Sequence, residues 1–150
     1  MEKILAIREH PELIDQAAQW NHEKWGVPET AYRESMNAAL GSKGGIPAWY
    51  VIMNEGNIVA GVGVIANDFH KRADLAPNIC ALYVEEAYRK CGYARTLLTH
   101  ACQELSSKGI HDVYLITDHT NFYEKCGWTF YGMVEEDSGK RTRMYHKHTV

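Results

Sequence analysis

From Ala94 to Leu105 the apolar side chains fall at Ala94, Leu97, Leu98, Ala101, Cys102 and Leu105. Offsets of 3, 4, 7, 8 and 11 from the first place them on one face of a 3.6-residue helix. The pattern fades near Lys108, and Gly109 is a natural stop. Upstream, Asn78–Val84 (NICALYV) is a run of β-branched, aromatic and small apolar residues, the composition of a strand. Arg89–Ala94 therefore form a strand-to-helix turn.

The same reading extends along the chain. Lys3–Arg8 (KILAIR) predicts a first strand. Pro11 opens a helix in which Leu13, Ala17 and Trp20 share a face and which Gly26 ends. Thr30 is the expected N-cap of a second helix that buries Tyr32, Met36, Ala39 and Leu40. The glycine-rich stretch 41–47 lacks the order of a phosphate-binding loop and reads as a connector. Ala48–Met53 and Ile58–Ile65 are strands joined by Asn54-Glu55-Gly56-Asn57, a hairpin signal. A polar loop spans 67–77. Asp112–Thr117 is a further strand, a short helix lies around Phe122–Lys125, and Thr129–Val134 and Thr142–His146 complete the pattern. With no repeats or low-complexity linkers, residues 1–150 are expected to form one domain.

Gly61-Val62-Gly63-Val64-Ile65-Ala66 matches G-x-G-x-x-A, yet alternation runs through it instead of giving way to a helix. It is a strand with two glycines on one face, which leaves room for something packed close above them.

Composition narrows the class. The 45% hydrophobic content is that of a globular domain, with no run long enough to span a membrane. The N-terminus lacks the apolar stretch and cleavage site of a secretory signal, so a cytoplasmic location is expected by default. A net charge of −3 argues against a nucleic-acid partner, and a membrane partner is not expected either. Cys80, Cys91, Cys102 and Cys126 form no C-x-x-C pair and read as reduced. His22-Glu23-Lys24-Trp25-Gly26 begins like a metal-binding H-E-x-x-H, but Gly26 occupies the second ligand position. His146 and His148 share a strand face; the sequence indicates no third ligand, so they read as solvated and no metal is expected.

The turn at 89–94 has the chemistry of an anion site. A helix N-terminus offers unpaired N–H groups and partial positive charge. Gly92 permits close approach, and Arg89, Lys90 and Arg95 add cations. With Leu-Tyr-Val before it and an amphipathic helix after it, Arg-x-x-Gly-x-Ala (Arg89, Gly92, Ala94) resembles the acetyl-CoA signature of the GNAT superfamily of N-acetyltransferases. Asn121–Phe130 (NFYEKCGWTF) is similar to that family's F-Y-x-K-x-G-F segment through Tyr123, Lys125 and Gly127, with Trp128 replacing a Phe. The linking segment Thr117–Asn121 (TDHTN) departs from the family pattern, being shorter and without its alanine.

The resemblance implies an α/β (α+β) fold: a single GNAT-like domain whose central, mixed, mostly antiparallel twisted sheet of about seven strands carries helices on both faces. It also implies acetyl-CoA as co-substrate, held by Leu82, Tyr83, Val84, Arg89, Lys90, Cys91, Gly92, Tyr93, Ala94, Arg95, Asn121 and Lys125. The backbone of Leu82 and Val84 would meet the pantetheine amides and the oxyanion, with the pyrophosphate on the N–H groups of Cys91–Ala94. Tyr123 would protonate the departing thiolate. An alkylamine near pKa ~10 must lose a proton before it attacks. Asp118 is the first choice of base because adjacent strand ends converge there; Asp68, His70 and Glu85 remain open, as does deprotonation through water. Cys126 could in principle accept an acyl group, but its place in the Lys-Cys-Gly-Trp turn reads as structural. Trp25, Asp68, His70, Glu85 and His119 are expected to contact the acceptor, and the acids suit a cationic one. The expected activity is N-acetylation of a small-molecule primary amine. Acetylation of a protein N-terminus or lysine, and a non-catalytic acetyl-CoA sensor, remain alternatives; a homodimer is also open.

Overall fold

The computed structural model describes residues 3–43 and 45–150; Met1, Glu2 and Gly44 of the connector lie outside the described residues. The elements are β1 (Ile4–Ala6), α1 (Ile14–Trp25), α2 (Glu29–Leu40), β2 (Ala48–Asn54), β3 (Asn57–Ile65), β4 (Asn78–Val84), α3 (Tyr93–Ser107), β5 (Asp112–Thr117), α4 (Phe122–Lys125), β6 (Thr129–Glu135) and β7 (Arg141–His148). The strands form one seven-stranded sheet in the order β1-β2-β3-β4-β5-β7-β6. All neighbours are antiparallel except β4 and β5, the pair joined through α3.

Alternation along β2 explains the two cores. Ala48, Tyr50 and Ile52 face one side, with Leu97, Leu98, Ala101 and Leu105 of α3 and Tyr123 of α4. Trp49 and Val51 face the other side, with Ala17 and Trp20 of α1 and Tyr32 and Met36 of α2. The β3 glycines make that second packing possible. A Cβ on Gly61 would lie 3.0 Å from the Trp20 ring, and one on Gly63 only 2.5 Å from the Trp49 ring. The space above the glycines is thus filled by two indoles.

Several boundaries differ from the sequence reading. The first strand is shorter than Lys3–Arg8, because Ile7–Glu9 turn into a 3-10 helix. Pro11–Leu13 form a second such turn before α1 begins at Ile14. Thr30 does not cap α2. Pro28 does, in extended conformation, with its carbonyl accepting from Ala31 N–H at 3.0 Å and Tyr32 N–H at 3.4 Å. The β2–β3 hairpin turns on Glu55 and Gly56 with φ of 51° and 83°, the left-handed pair that a two-residue turn requires. No described helix is long and apolar enough to cross a membrane.

Candidate active site

Strand β4 is irregular where the candidate chemistry lies. Gly61 pairs with Tyr83 and Gly63 with Cys80, so Ala81 and Leu82 together oppose Val62. This is a β-bulge, with Ala81 at φ 54°. On its other side β4 pairs with β5 only at Asn78–Tyr114. Beyond that point the two parallel strands splay, leaving the β5-facing backbone of β4 without a ladder partner, available to a ligand's amides.

The gap opens into a cleft of about 540 Å³. Ile79 and Leu82 of β4, Leu115 and Thr117 of β5 and Tyr123 of α4 line one part; Trp25, Tyr32, Trp49, Asp68 and Phe69 line the other. The loop 67–77 forms its outer wall by docking on the β6–β7 hairpin, with Lys71 N–H donating to Glu135 O at 3.0 Å and Asp137 N–H to Phe69 O at 2.8 Å. That docking brings Glu136 and Lys140 to the rim.

Tyr123 is 9% exposed and packs edge-on against Trp128 and Phe122. Burial pushes its phenol up to about 12, so it is a protonated donor at neutral pH. Asp68 is half-buried beside Tyr32 and Cys80. Burial pushes its carboxyl up to about 6, with Glu136 adding to the shift. Asp118 also lines the cleft, but it is exposed at the rim, with both carboxylate oxygens 3.3 Å from Lys140 Nζ. His119 lies beside it, its N–H on Thr117 Oγ1 at 3.1 Å, and Trp25, 47% exposed, stands across the cleft.

Two expected acceptor contacts are corrected. His70 is buried, and both ring nitrogens are engaged: Arg72 N–H donates to Nδ1 at 3.2 Å and Nε2 donates to Asn78 Oδ1 at 2.8 Å. Asn78 in turn donates to the carbonyls of Ala66 and Leu75. His70 is thus a post that holds the loop to β4. Glu85 does not line the cleft. Its carboxylate takes Lys24 Nζ at 2.7 and 2.9 Å and Trp20 Nε1 at 3.2 Å, fastening the end of β4 to α1.

The turn before α3 has the expected backbone. Lys90 and Gly92 are left-handed, at φ 64° and 83°, and Gly92 caps the helix with nothing within 4 Å of where a Cβ would stand. Cys91 is exposed and Tyr93 and Ala94 half-buried. The cations are arranged less simply. Arg89 folds back, its Nε on Val84 O at 2.9 Å and its guanidinium over the Tyr83 ring. Tyr83 itself packs between Trp20 and Trp25 on the α1 side, so its backbone, not its ring, borders the gap. Arg95 reaches across to donate to Lys125 O at 2.9 Å, fixing α4 to the first turn of α3. Asn121 and Lys125 are exposed on α4's flank. The four cysteines are unpaired. Tyr32, Trp49, Phe69, Glu136 and Lys140 are among the cleft residues that the sequence does not reveal; the polar hairpin at 135–140 carries no local signal that loop 67–77 will meet it.

Residues 11–128 match the family model described as Acetyltransferase (GNAT) family. No curated protein matches the sequence significantly. Among solved structures, an aminoglycoside 6'-N-acetyltransferase complexed with coenzyme A is similar at 19% identity and TM-score 0.72, covering 99% of this chain and 97% of that one. The Salmonella typhimurium protein yncA, solved with its cofactor acetyl-CoA, is 12% identical with TM-score 0.72 over 100% of this chain and 95% of its own. A spermidine N-acetyltransferase SpeG chimera, from Vibrio cholerae and hSSAT, is 16% identical with TM-score 0.66, covering 98% and 95%.

Proposed function

The chain belongs to the GNAT acetyltransferase family, and from that premise we propose that it transfers acetyl from acetyl-CoA to a primary amine on a small cationic molecule. The observation that carries the reading is the cleft where β4 leaves β5, with a buried phenol in one part and a half-buried carboxylate in the other.

The residues fit acetyl-CoA. The unladdered edge at Leu82–Val84 can pair with the amides of the pantetheine arm, Val84 O being shared with Arg89 Nε. The left-handed Lys90–Gly92 turn leads its N–H groups into α3, and an open Gly92 leaves a path for phosphate oxygens. Acetyl-CoA supplies the activated acetyl group when bound.

Asp68 accepts a proton from the acceptor's ammonium, directly or through one water, which frees the nitrogen lone pair for attack. A carboxyl at about 6 is mostly ionised at neutral pH and more basic than an exposed one. Backbone N–H groups at the β4 bulge stabilise the developing oxyanion. Tyr123 donates its phenolic proton to sulfur as the carbon–sulfur bond breaks; the second proton, left on the new amide nitrogen, returns to the phenolate through water, and Asp68 releases the one it took to solvent. Asp118 and Glu136 attract the cation at the rim, while Trp25 and Phe69 offer it aromatic faces. The similar aminoglycoside and spermidine enzymes support a polycationic acceptor.

The test is a thiol-release assay with acetyl-CoA against polyamines, aminoglycosides, amino acids and lysine or N-terminal peptides. Turnover with small polycations is expected. Turnover confined to peptides would replace the acceptor class, and acetyl-CoA binding with no turnover would leave a sensor.

A further inference from the structure

Far from the cleft, at the opposite end of β5, three donor side chains converge. His146 and His148 are two apart on β7 and so share a face. In the β5–β7 ladder Asp112 stands directly opposite His148, and Tyr114 opposite His146. One oxygen of Asp112 lies 2.7 Å from His146 Nε2 and 2.9 Å from His148 Nδ1. All three donor atoms lie within 4.8 Å of one another.

We propose that Asp112, His146 and His148 form a binding site for a borderline divalent cation such as Zn²⁺, Co²⁺ or Ni²⁺. Two imidazoles and a carboxylate suit these ions better than Mg²⁺ or Ca²⁺, which prefer oxygen throughout. The donors need little ordering because strands carry them. The ladder runs from Asp112–His148 to Thr117–Arg143, and past it Thr149 ties the chain to β5's approach by bonding the carbonyls of His111 and Ile110. The Tyr114 ring lies 4.9 Å from that of His146 and limits its rotation.

In a tetrahedral site with metal–nitrogen bonds of ~2.0–2.1 Å, neighbouring donor atoms stand about 3.3 Å apart. The two oxygen–nitrogen pairs must therefore part by about half an ångström, within reach of side-chain rotation. Each imidazole then presents a lone pair where it now faces the carboxylate, its proton moving to the outer nitrogen. Side-chain exposure of 47% at Asp112 and 73% at His148 leaves room for water as the remaining ligand. A bound cation would clasp the start of β5 to the end of β7. The sequence hides this site because its third ligand lies 34 residues before His146.

The experiment titrates Zn²⁺ and Co²⁺ into the tag-free full chain by calorimetry, following Co²⁺ also by its visible d–d bands. One saturable site is expected. His146→Ala and His148→Ala should each weaken it at least about tenfold, as loss of one of three ligands requires. His10→Ala, at the far edge of the sheet, should not. At a hundredfold excess over the dissociation constant, Zn²⁺ should raise Tm by about 5–10 °C in the wild type and not in His148→Ala. Absence of saturable binding, or affinity unchanged in both histidine variants, would overturn the proposal. If His146→Ala does not fold, the exposed His148→Ala and Asp112→Asn carry the same test.

Discussion

Asp68 and Tyr123 border the same cleft from opposite faces of the sheet, and burial acts on both in the same chemical direction. It favours the neutral form of each, moving the carboxyl up to about 6 and the phenol up to about 12. At neutral pH the carboxyl is therefore mostly ionised and the phenol protonated, the states that the proposed base and acid require.

If Asp68 is the base, activity requires its ionised form. The kcat/KM of the wild type should fall as pH drops through about 6, with a slope of one proton. Asp68→Asn should lower kcat/KM by roughly 10²–10³ and remove that limb. A profile between pH 5 and 8 checks this; a limb that persists in the variant would point to another base.

The same shift has a stability consequence of opposite sign. A carboxyl whose pKa is raised on folding binds its proton more tightly in the folded state. Keeping it ionised costs stability above pH 6, and that cost disappears as pH falls toward the unfolded value near 4. Asp68→Asn should thus stabilise the protein by about 1–2 kcal/mol at pH 8, discounted for water in the cleft, and hardly at all at pH 4. Urea denaturation at the two pH values measures the difference.

The fold and the backbone of the turn before α3 are legible in the sequence because their signals are local. The helix period of α3, the alternation of β2 and β3 and the glycine at the helix start each lie within a few residues of what they determine. The choice between Asp118 and Asp68 is not local. It depends on loop 67–77 meeting the hairpin at 135–140, which half-buries Asp68 and pairs Asp118 with Lys140. His70 is misread for the same reason: a histidine in a polar loop reads as exposed until Asn78, already committed to β4, turns its amide toward it. Glu85 reads as a free acid at a strand end, but Lys24 and Trp20 arrive from a helix some sixty residues away.

Gly63 tests the packing on the α1–α2 side. A Cβ there would press to 2.5 Å on an indole already fixed by a bond from Trp49 Nε1 to Ser35 Oγ at 2.8 Å and by the Tyr32 ring. Gly63→Ala should cost about 1–3 kcal/mol. Gly61→Ala, where the nearest ring atom is 3.0 Å away, should cost less. Thermal melts of the two variants give the order.

Gly92 tests the cofactor turn with the fold left intact. No atom lies within 4 Å of a Cβ there, so a side chain meets only its own backbone strain at φ 83° and whatever ligand approaches. Gly92→Ala should lower stability by about 1 kcal/mol. Gly92→Asp adds a negative charge in the path proposed for the pyrophosphate and should weaken CoA binding by more than about tenfold beyond the alanine variant. Calorimetric CoA affinities that match in the two folded variants would remove the anion from this turn.

Tyr123 bears most directly on the chemistry. Tyr123→Phe keeps the ring that packs on Trp128 and Tyr145 and removes only the hydroxyl, which bonds to no other described residue. Folding and acetyl-CoA affinity should therefore stay close to wild type. Loss of a general acid costs a factor of roughly 10²–10⁴, and a thiolate leaves well enough to place the effect near the lower end. The loss should fall on kcat, because the proton is needed only as the carbon–sulfur bond breaks. With the phenol held at about 12, no alkaline limb from Tyr123 should appear below pH 10. Single-turnover rates with wild type and Phe variant, at saturating acetyl-CoA, separate this step from product release; equal rates would leave Tyr123 as a packing residue.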